Sequence, residues 1–184
     1  MKRICVFCGS KPGDRPAYLM AARELGERLA RNHLGLVYGG ASIGLMGAVA
    51  DAVLDGGGEA IGVIPNSLKD KEIAHPGLTD LRVVEDMHSR KALMADLADG
   101  FIALPGGIGT LEELFEIWTW ANLDLHRKPC VLLNVEGYYD DLLKFLDTMN
   151  TAGFLKNRGR NMLKSVDGVD QALSTLVEAF HASN

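Results

Sequence analysis

The run Pro105-Gly106-Gly107-Ile108-Gly109-Thr110 sets three glycines within four positions, directly ahead of Leu111-Glu112-Glu113. Glycines let a backbone turn tightly and bring bare N–H groups against a ligand. A helix starting there would aim its unpaired amides and the positive end of its dipole at the same place. That chemistry suits a phosphate. Two carboxylates beside a bound phosphate would repel it, so at least one should serve another part of the ligand. A purely structural account covers the same residues. Thr110 and Glu113 have the spacing of a capping box, each side chain satisfying the other's backbone amide. In a first helical turn, Glu112 and Glu113 would be favoured whether or not anything binds.

A second group is Asp86-Met87-His88-Ser89-Arg90-Lys91, which opens another expected helix. Arg90 precedes Met94 and Leu97 by four and seven residues, so it shares their inward face. A cation there needs an anion. Either a ligand supplies it, or a nearby acid such as Glu112 or Glu113 does.

Other chemistries find little footing. Cys5 and Cys8 form a lone C-x-x-C along an expected strand, where positions three apart face opposite sides, so they read as structural. Cys130 opens another apolar strand and reads as core. His33, His75, His88, His126 and His181 lack metal-ligand spacing. There is no G-x-x-x-x-G-K-[ST] and no G-x-S-x-G. The first strand is not followed by G-x-G-x-x-G, and the second ends in Tyr38-Gly39 without a ribose-binding acid. A nucleoside triphosphatase, a serine hydrolase and a dinucleotide enzyme are therefore not expected.

The elements that must carry these groups alternate. Strands are expected at 3–8, 34–38, 60–64, 81–84, 101–104 and 131–135, with a short last one at 162–166. Helices are expected at 17–32, 43–54, 89–98, up to Leu123 after the glycine run, 140–149 and 169–181, and residues 65–80 read as a polar loop. In the helix after the glycine run, Leu111, Leu114, Phe115 and Trp118 have the spacing of one buried face. Continuous apolar strands between helices predict an α/β fold. It is a Rossmann-like parallel sheet with helices on both faces, in a single domain spanning residues 1–184. Ligands of such sheets bind at the carboxyl ends of the strands. There the turns at Gly9-Ser10, Gly39-Gly40 and Gly106-Gly107 should converge. The 184 residues, 47% hydrophobic, suit one full core. A net charge of −5 argues against a nucleic-acid partner. With no signal peptide and no membrane-length apolar run, a cytoplasmic protein is expected.

PGGIGTLEE and the Met87-His88-Ser89-Arg90-Lys91 segment together resemble the two motifs of the LOG (Lonely Guy) family of cytokinin riboside 5′-monophosphate phosphoribohydrolases. FCGS at 7–10, YGGASIGLMG at 38–47 and GVIPNSL at 62–68 are similar to it too, and the likeness runs to about Gly153. Members have often carried the label lysine decarboxylase, but no pyridoxal-phosphate lysine context is visible here. The resemblance implies hydrolysis of the N-glycosidic bond of purine nucleoside 5′-monophosphates, such as isopentenyladenosine monophosphate and AMP. The products would be the free base and ribose 5-phosphate. It implies catalytic roles for Arg90 and Glu113, and a phosphate site at Gly106, Gly107, Ile108, Gly109 and Thr110. Lys91, Glu112 and Glu72 would also contact substrate. A homodimer is implied, and the reaction calls for no metal or other cofactor. A non-catalytic nucleotide- or molybdopterin-binding carrier on the same fold is the alternative.

Overall fold

The computed structural model describes residues 1–69 and 74–182, the side chain of Lys69 excepted. Seven strands form one sheet: β1 (Arg3–Phe7), β2 (Gly35–Tyr38), β3 (Ala60–Pro65), β4 (Asp80–Val84), β5 (Gly100–Ala103), β6 (Cys130–Leu133) and β7 (Leu163–Val166). Their order is β4-β3-β2-β1-β5-β6-β7, and every pairing is parallel. The helices are α1 (Pro16–Arg31), α2 (Gly44–Asp55), α3 (Asn66–Lys69), α4 (Met87–Leu97), α5 (Ile108–Asn122), α6 (Asp140–Thr151), α7 (Asn157–Met162) and α8 (Val169–Ala182). The expected Rossmann-like α/β fold is thus the observed one.

The strand pleat divides the core in two. Ile4 and Val6 point to the side packed by Leu25 and Leu29 of α1, Val49 and Val53 of α2, and Leu173 and Leu176 of α8. Cys5 and Phe7 point to the other side, against Met94 of α4, Leu114 and Trp118 of α5, and Leu146 of α6. Leu25, Leu29, Leu114 and Leu146 are each fully enclosed, stabilising the fold by ~1.5–3 kcal/mol apiece. Cys5 and Cys8 fall in opposite layers, as their spacing predicts, and Cys130 is core. The continuous apolar pattern fails at β4, with Arg82 and Val83 exposed, because β4 is an edge strand.

Three departures from the sequence-based expectation bear on the site. The buried stripe of α5 is Thr110, Leu114, Ile117, Trp118 and Ala121, with Leu111 and Phe115 only partly buried. The helical period was legible, but its phase is set by the sheet beneath. Residues 65–80 are not one loop: α3 follows β3 directly, and Ala74 bridges Ala41. A 3-10 turn at Val135–Gly137 and the six-residue α7 are too short to leave a period in sequence.

Candidate active site

Chain order reverses on either side of β1. From β1 the chain runs outward through β2, β3 and β4, then returns to place β5 against β1's free side. The crevice above the carboxyl ends of β1 and β5 is where such sheets bind ligands. A cavity of about 610 Å³ opens there. Its wall holds Cys8 to Asp14, Gly39, Leu45 and Met46, Leu68, Met87 and Arg90, Pro105 to Thr110, Glu112, Glu113 and Tyr138. The three glycine turns converge as expected.

The glycine run makes its turn without left-handed backbone. None of Gly106, Gly107 and Gly109 has a positive φ. Gly106 is required by packing: a Cβ would lie 2.7 Å from Thr110 Cβ and 2.8 Å from the Gly9 nitrogen. Gly107 and Gly109 are different. A Cβ on either would meet no atom within 4 Å. At Gly109, inside a helix, glycine costs ~1 kcal/mol relative to alanine. At both positions the bare backbone faces open space in the cavity wall, which leaves it approachable.

The loop also sorts its polar groups. The Leu104 carbonyl accepts from the Tyr139 hydroxyl at 2.6 Å, and Pro105 from the Gly9 N–H at 3.1 Å. Gly106 accepts from the Tyr138 hydroxyl at 2.5 Å, and Gly107 from the Leu111 N–H at 3.2 Å. So the carbonyls are taken up by the protein. Among the described residues, no protein acceptor meets the N–H groups of Gly106 through Thr110. Unpaired donors at the start of a fifteen-residue helix are the arrangement that anion sites use.

The capping box does not form. Gly107 is the N-cap and no side chain caps the helix. Thr110, 4% exposed, is the third helical residue. Glu112 and Glu113 fall beyond the first turn, so end-of-helix stabilisation does not account for them. Glu113 lines the cavity. Its charge is felt at the Cys8 thiol, which burial first and Glu113 second push well above the ordinary range. Cys5 is raised likewise by burial and then Glu113, with the Arg90 charge opposing. Glu113 and Arg90 therefore act on one small region at the end of β1.

Asp86 starts α4 by accepting the Ser89 amide at 2.7 Å. That contact holds its carboxyl below the usual range, and the carboxylate offsets the two cations that follow. Arg90, 4% exposed, donates from Nε to the Val63 carbonyl at 3.0 Å and from Nη2 to the Gly39 carbonyl at 2.9 Å. Its Nη1 faces the Met87 sulfur at 3.7 Å. Sheet-end carbonyls thus aim the guanidinium at the cavity rim. Gly39 must be glycine for this, since a Cβ there would collide with the guanidinium and approach Met46 Cε to 2.5 Å.

Lys91 occupies a different place from its neighbour. It is 7% exposed, lies outside the cavity wall, and pairs with Glu112 at 2.5 Å and Glu116 at 3.0 Å. Burial alone would lower its pKa, but the two carboxylates raise it above the ordinary lysine range. It acts on the cavity through Glu112. Ile108, 89% exposed, stands at the mouth. Glu72 lies outside the described residues. Met87 and Leu68 fall within segments quoted from the sequence but were given no role of their own, and Tyr138 and Tyr139 were not singled out. A Tyr-Tyr pair after a strand end was the one available sign.

Residues 46–176 match a family model described as "Possible lysine decarboxylase". A cytokinin riboside 5′-monophosphate phosphoribohydrolase of Arabidopsis thaliana is 50% identical over 177 residues, covering 96% of this chain and 82% of its own. A protein of the same name from Rhodococcoides fascians is 49% identical, covering 95% and 89%. The chain belongs to the LOG family. LOG membership accounts for the paired glycine and Arg-Lys motifs, and the decarboxylase wording names no lysine chemistry that this cavity displays. In shape, the chain also matches a molybdenum cofactor carrier protein from Chlamydomonas reinhardtii, with a TM-score of 0.74 and 21% identity over 98% of both chains. A molybdenum cofactor binding protein from Rippkaea orientalis gives 0.75 and 22%, again over 98% of both. At that identity the likeness is one of fold. No group of three His, Cys, Asp or Glu side chains suited to a metal occurs among the described residues. No described helix is long and apolar enough to cross a membrane.

Proposed function

We propose that this chain hydrolyses the N-glycosidic bond of purine nucleoside 5′-monophosphates, including cytokinin riboside monophosphates and AMP, to free base and ribose 5-phosphate. One observation carries the reading: a loop with its amides unpaired and a carboxylate, Glu113, line one cavity. Five residues separate Ile108 from Glu113, or ~7.5 Å along a helix. That is the scale of a ribose joining its 5′-phosphate to C1′.

In the proposed reaction Gly106 to Thr110 hold the phosphate, and this binding orients the sugar. As the base departs, positive charge builds on the ribose, as in glycoside hydrolysis generally. Glu113 stabilises that charge and takes one proton of the attacking water as its oxygen bonds C1′, while the departing purine gains one proton from solvent at a ring nitrogen. Arg90 steadies the phosphate or ribose, and Lys91 holds Glu112 in the wall. Glu72 remains a proposed substrate contact. A carrier would need the loop but not a carboxylate beside it, and the LOG relatives at about 50% identity carry an enzyme's name. A homodimer is part of the proposal, and light scattering of the purified protein tests it.

The experiment is chromatographic. AMP, isopentenyladenosine monophosphate and the matching nucleosides are each incubated with the protein, and free base is measured. Base from the monophosphates alone is the expected result. No base from any of them would refute hydrolysis and leave the carrier.

A further inference from the structure

Tyr138 is 43% exposed, lines the cavity, and donates its hydroxyl to the Gly106 carbonyl. Considerable local structure is devoted to holding it there. The chain leaves β6 through Asn134, then a 3-10 turn in which Glu136 has φ +50° and Gly137 φ +72°. A left-handed glutamate is uncommon. Asn134, buried, braces the turn: its Oδ1 accepts the Tyr139 amide at 2.7 Å and its Nδ2 donates to Asp140 at 2.8 Å. The Tyr138 ring is then gripped edge-on by Tyr18 at 5.5 Å and Tyr139 at 4.8 Å.

The bond it makes falls at the weakest point of the loop. The Gly106–Gly107 peptide lies between two residues without side chains, so the torsions on both sides of it are nearly unhindered. Rotating this rigid plane exchanges its carbonyl for its N–H. Turned one way, the peptide offers a donor to an anion, and turned the other way an acceptor that repels it. The Tyr138 hydroxyl captures the carbonyl and so selects the donor orientation of Gly107 N–H.

We propose that Tyr138 is a positioning residue of the phosphate loop, locking the Gly106–Gly107 peptide against rotation. This rests on the phosphate reading given above. Tyr139 makes a similar bond to Leu104, but the next residue is Pro105, so that peptide has no N–H to orient. Its role is to support the fold.

The test compares Tyr138→Phe and Tyr139→Phe with the wild type. Inorganic phosphate affinity is measured by calorimetry, kcat and KM for AMP by base release, and melting temperature by thermal unfolding. Loss of one orienting hydrogen bond predicts that Tyr138→Phe binds phosphate about 3- to 10-fold more weakly. KM for AMP should rise in parallel while the melting temperature stays within about 2 °C. Tyr139→Phe should melt lower with phosphate affinity unchanged. Equal phosphate affinity in Tyr138→Phe and wild type overturns the role of Tyr138 alone, as do equal losses in both variants. A wild type that binds no phosphate overturns the reading of the loop, and the inference with it.

Discussion

Gly109→Ala should make the protein more stable and a worse binder of nucleotide. Gly109 is the second residue of α5, its φ is not positive, and no atom lies within 4 Å of the position a Cβ would take. Alanine therefore fits without strain and removes freedom from the unfolded chain, a gain of about 0.4–1 kcal/mol. For a chain of 184 residues, that raises the melting temperature by about 1–4 °C. The same methyl enters the space through which a phosphate oxygen must come to ~2.9 Å from a backbone nitrogen. Losing one hydrogen bond to a charged group costs about 1.5–3 kcal/mol, or roughly 10- to 150-fold in affinity. Thermal unfolding reads the first effect. KM for AMP and inhibition by inorganic phosphate read the second. Raised stability with unchanged KM would refute the anion cradle, because the glycine would then serve neither fold nor ligand. A lowered melting temperature would refute the open space.

Glu113→Gln should leave the melting temperature nearly unchanged and reduce kcat on AMP by about 100-fold or more, the scale of lost acid–base catalysis; near-normal turnover would remove Glu113 from the chemistry. Gly39→Ala should fold but displace the Arg90 guanidinium, lowering kcat/KM about tenfold or more, as expected for lost hydrogen bonds to a charged group. Unaltered kinetics would show that the guanidinium's placement is immaterial. The thiols supply a pH test. Burial raises all three cysteines, Cys130 to about 12, against an ordinary 9.0. Thiolate is the reactive form, so iodoacetamide at pH 8 should label none in the native protein and all three after unfolding. Because the unfolded chain deprotonates first, these thiols make stability fall as pH climbs above about 9. Native labelling at pH 8 would contradict the burial.

What could be read in the sequence and what could not divide along a physical line. β1, β2, β3, β5 and β6 were legible because an interior parallel strand is apolar on both faces, a local property of its own residues. The convergence of three glycine turns followed from topology alone. Arg90 and Lys91, by contrast, share a motif but not an environment. Adjacent helical residues diverge by ~100°, so Arg90 reaches the ends of β2 and β3 while Lys91 reaches α5. Their adjacency in the chain said they belonged to one site but not that one would line it and the other stand behind it.

The tyrosines show the same limit more sharply. Tyr138 and Gly106 are 32 residues apart, and they meet only because β6 pairs with β5. No spacing rule within either segment encodes that contact. The glycine run does line the cavity at the carboxyl edge of the sheet, as its place after β5 predicts. Its glycines were credited with tight turning, yet their φ values are ordinary. Gly106 is small because Gly9 and Thr110 crowd it, and Gly107 and Gly109 are small although nothing crowds them. Composition cannot tell a glycine the fold needs from one the ligand needs. Only the space around the missing side chain separates them, and at Gly107 and Gly109 that space opens away from the protein's own atoms into the cavity, as the proposed phosphate site requires.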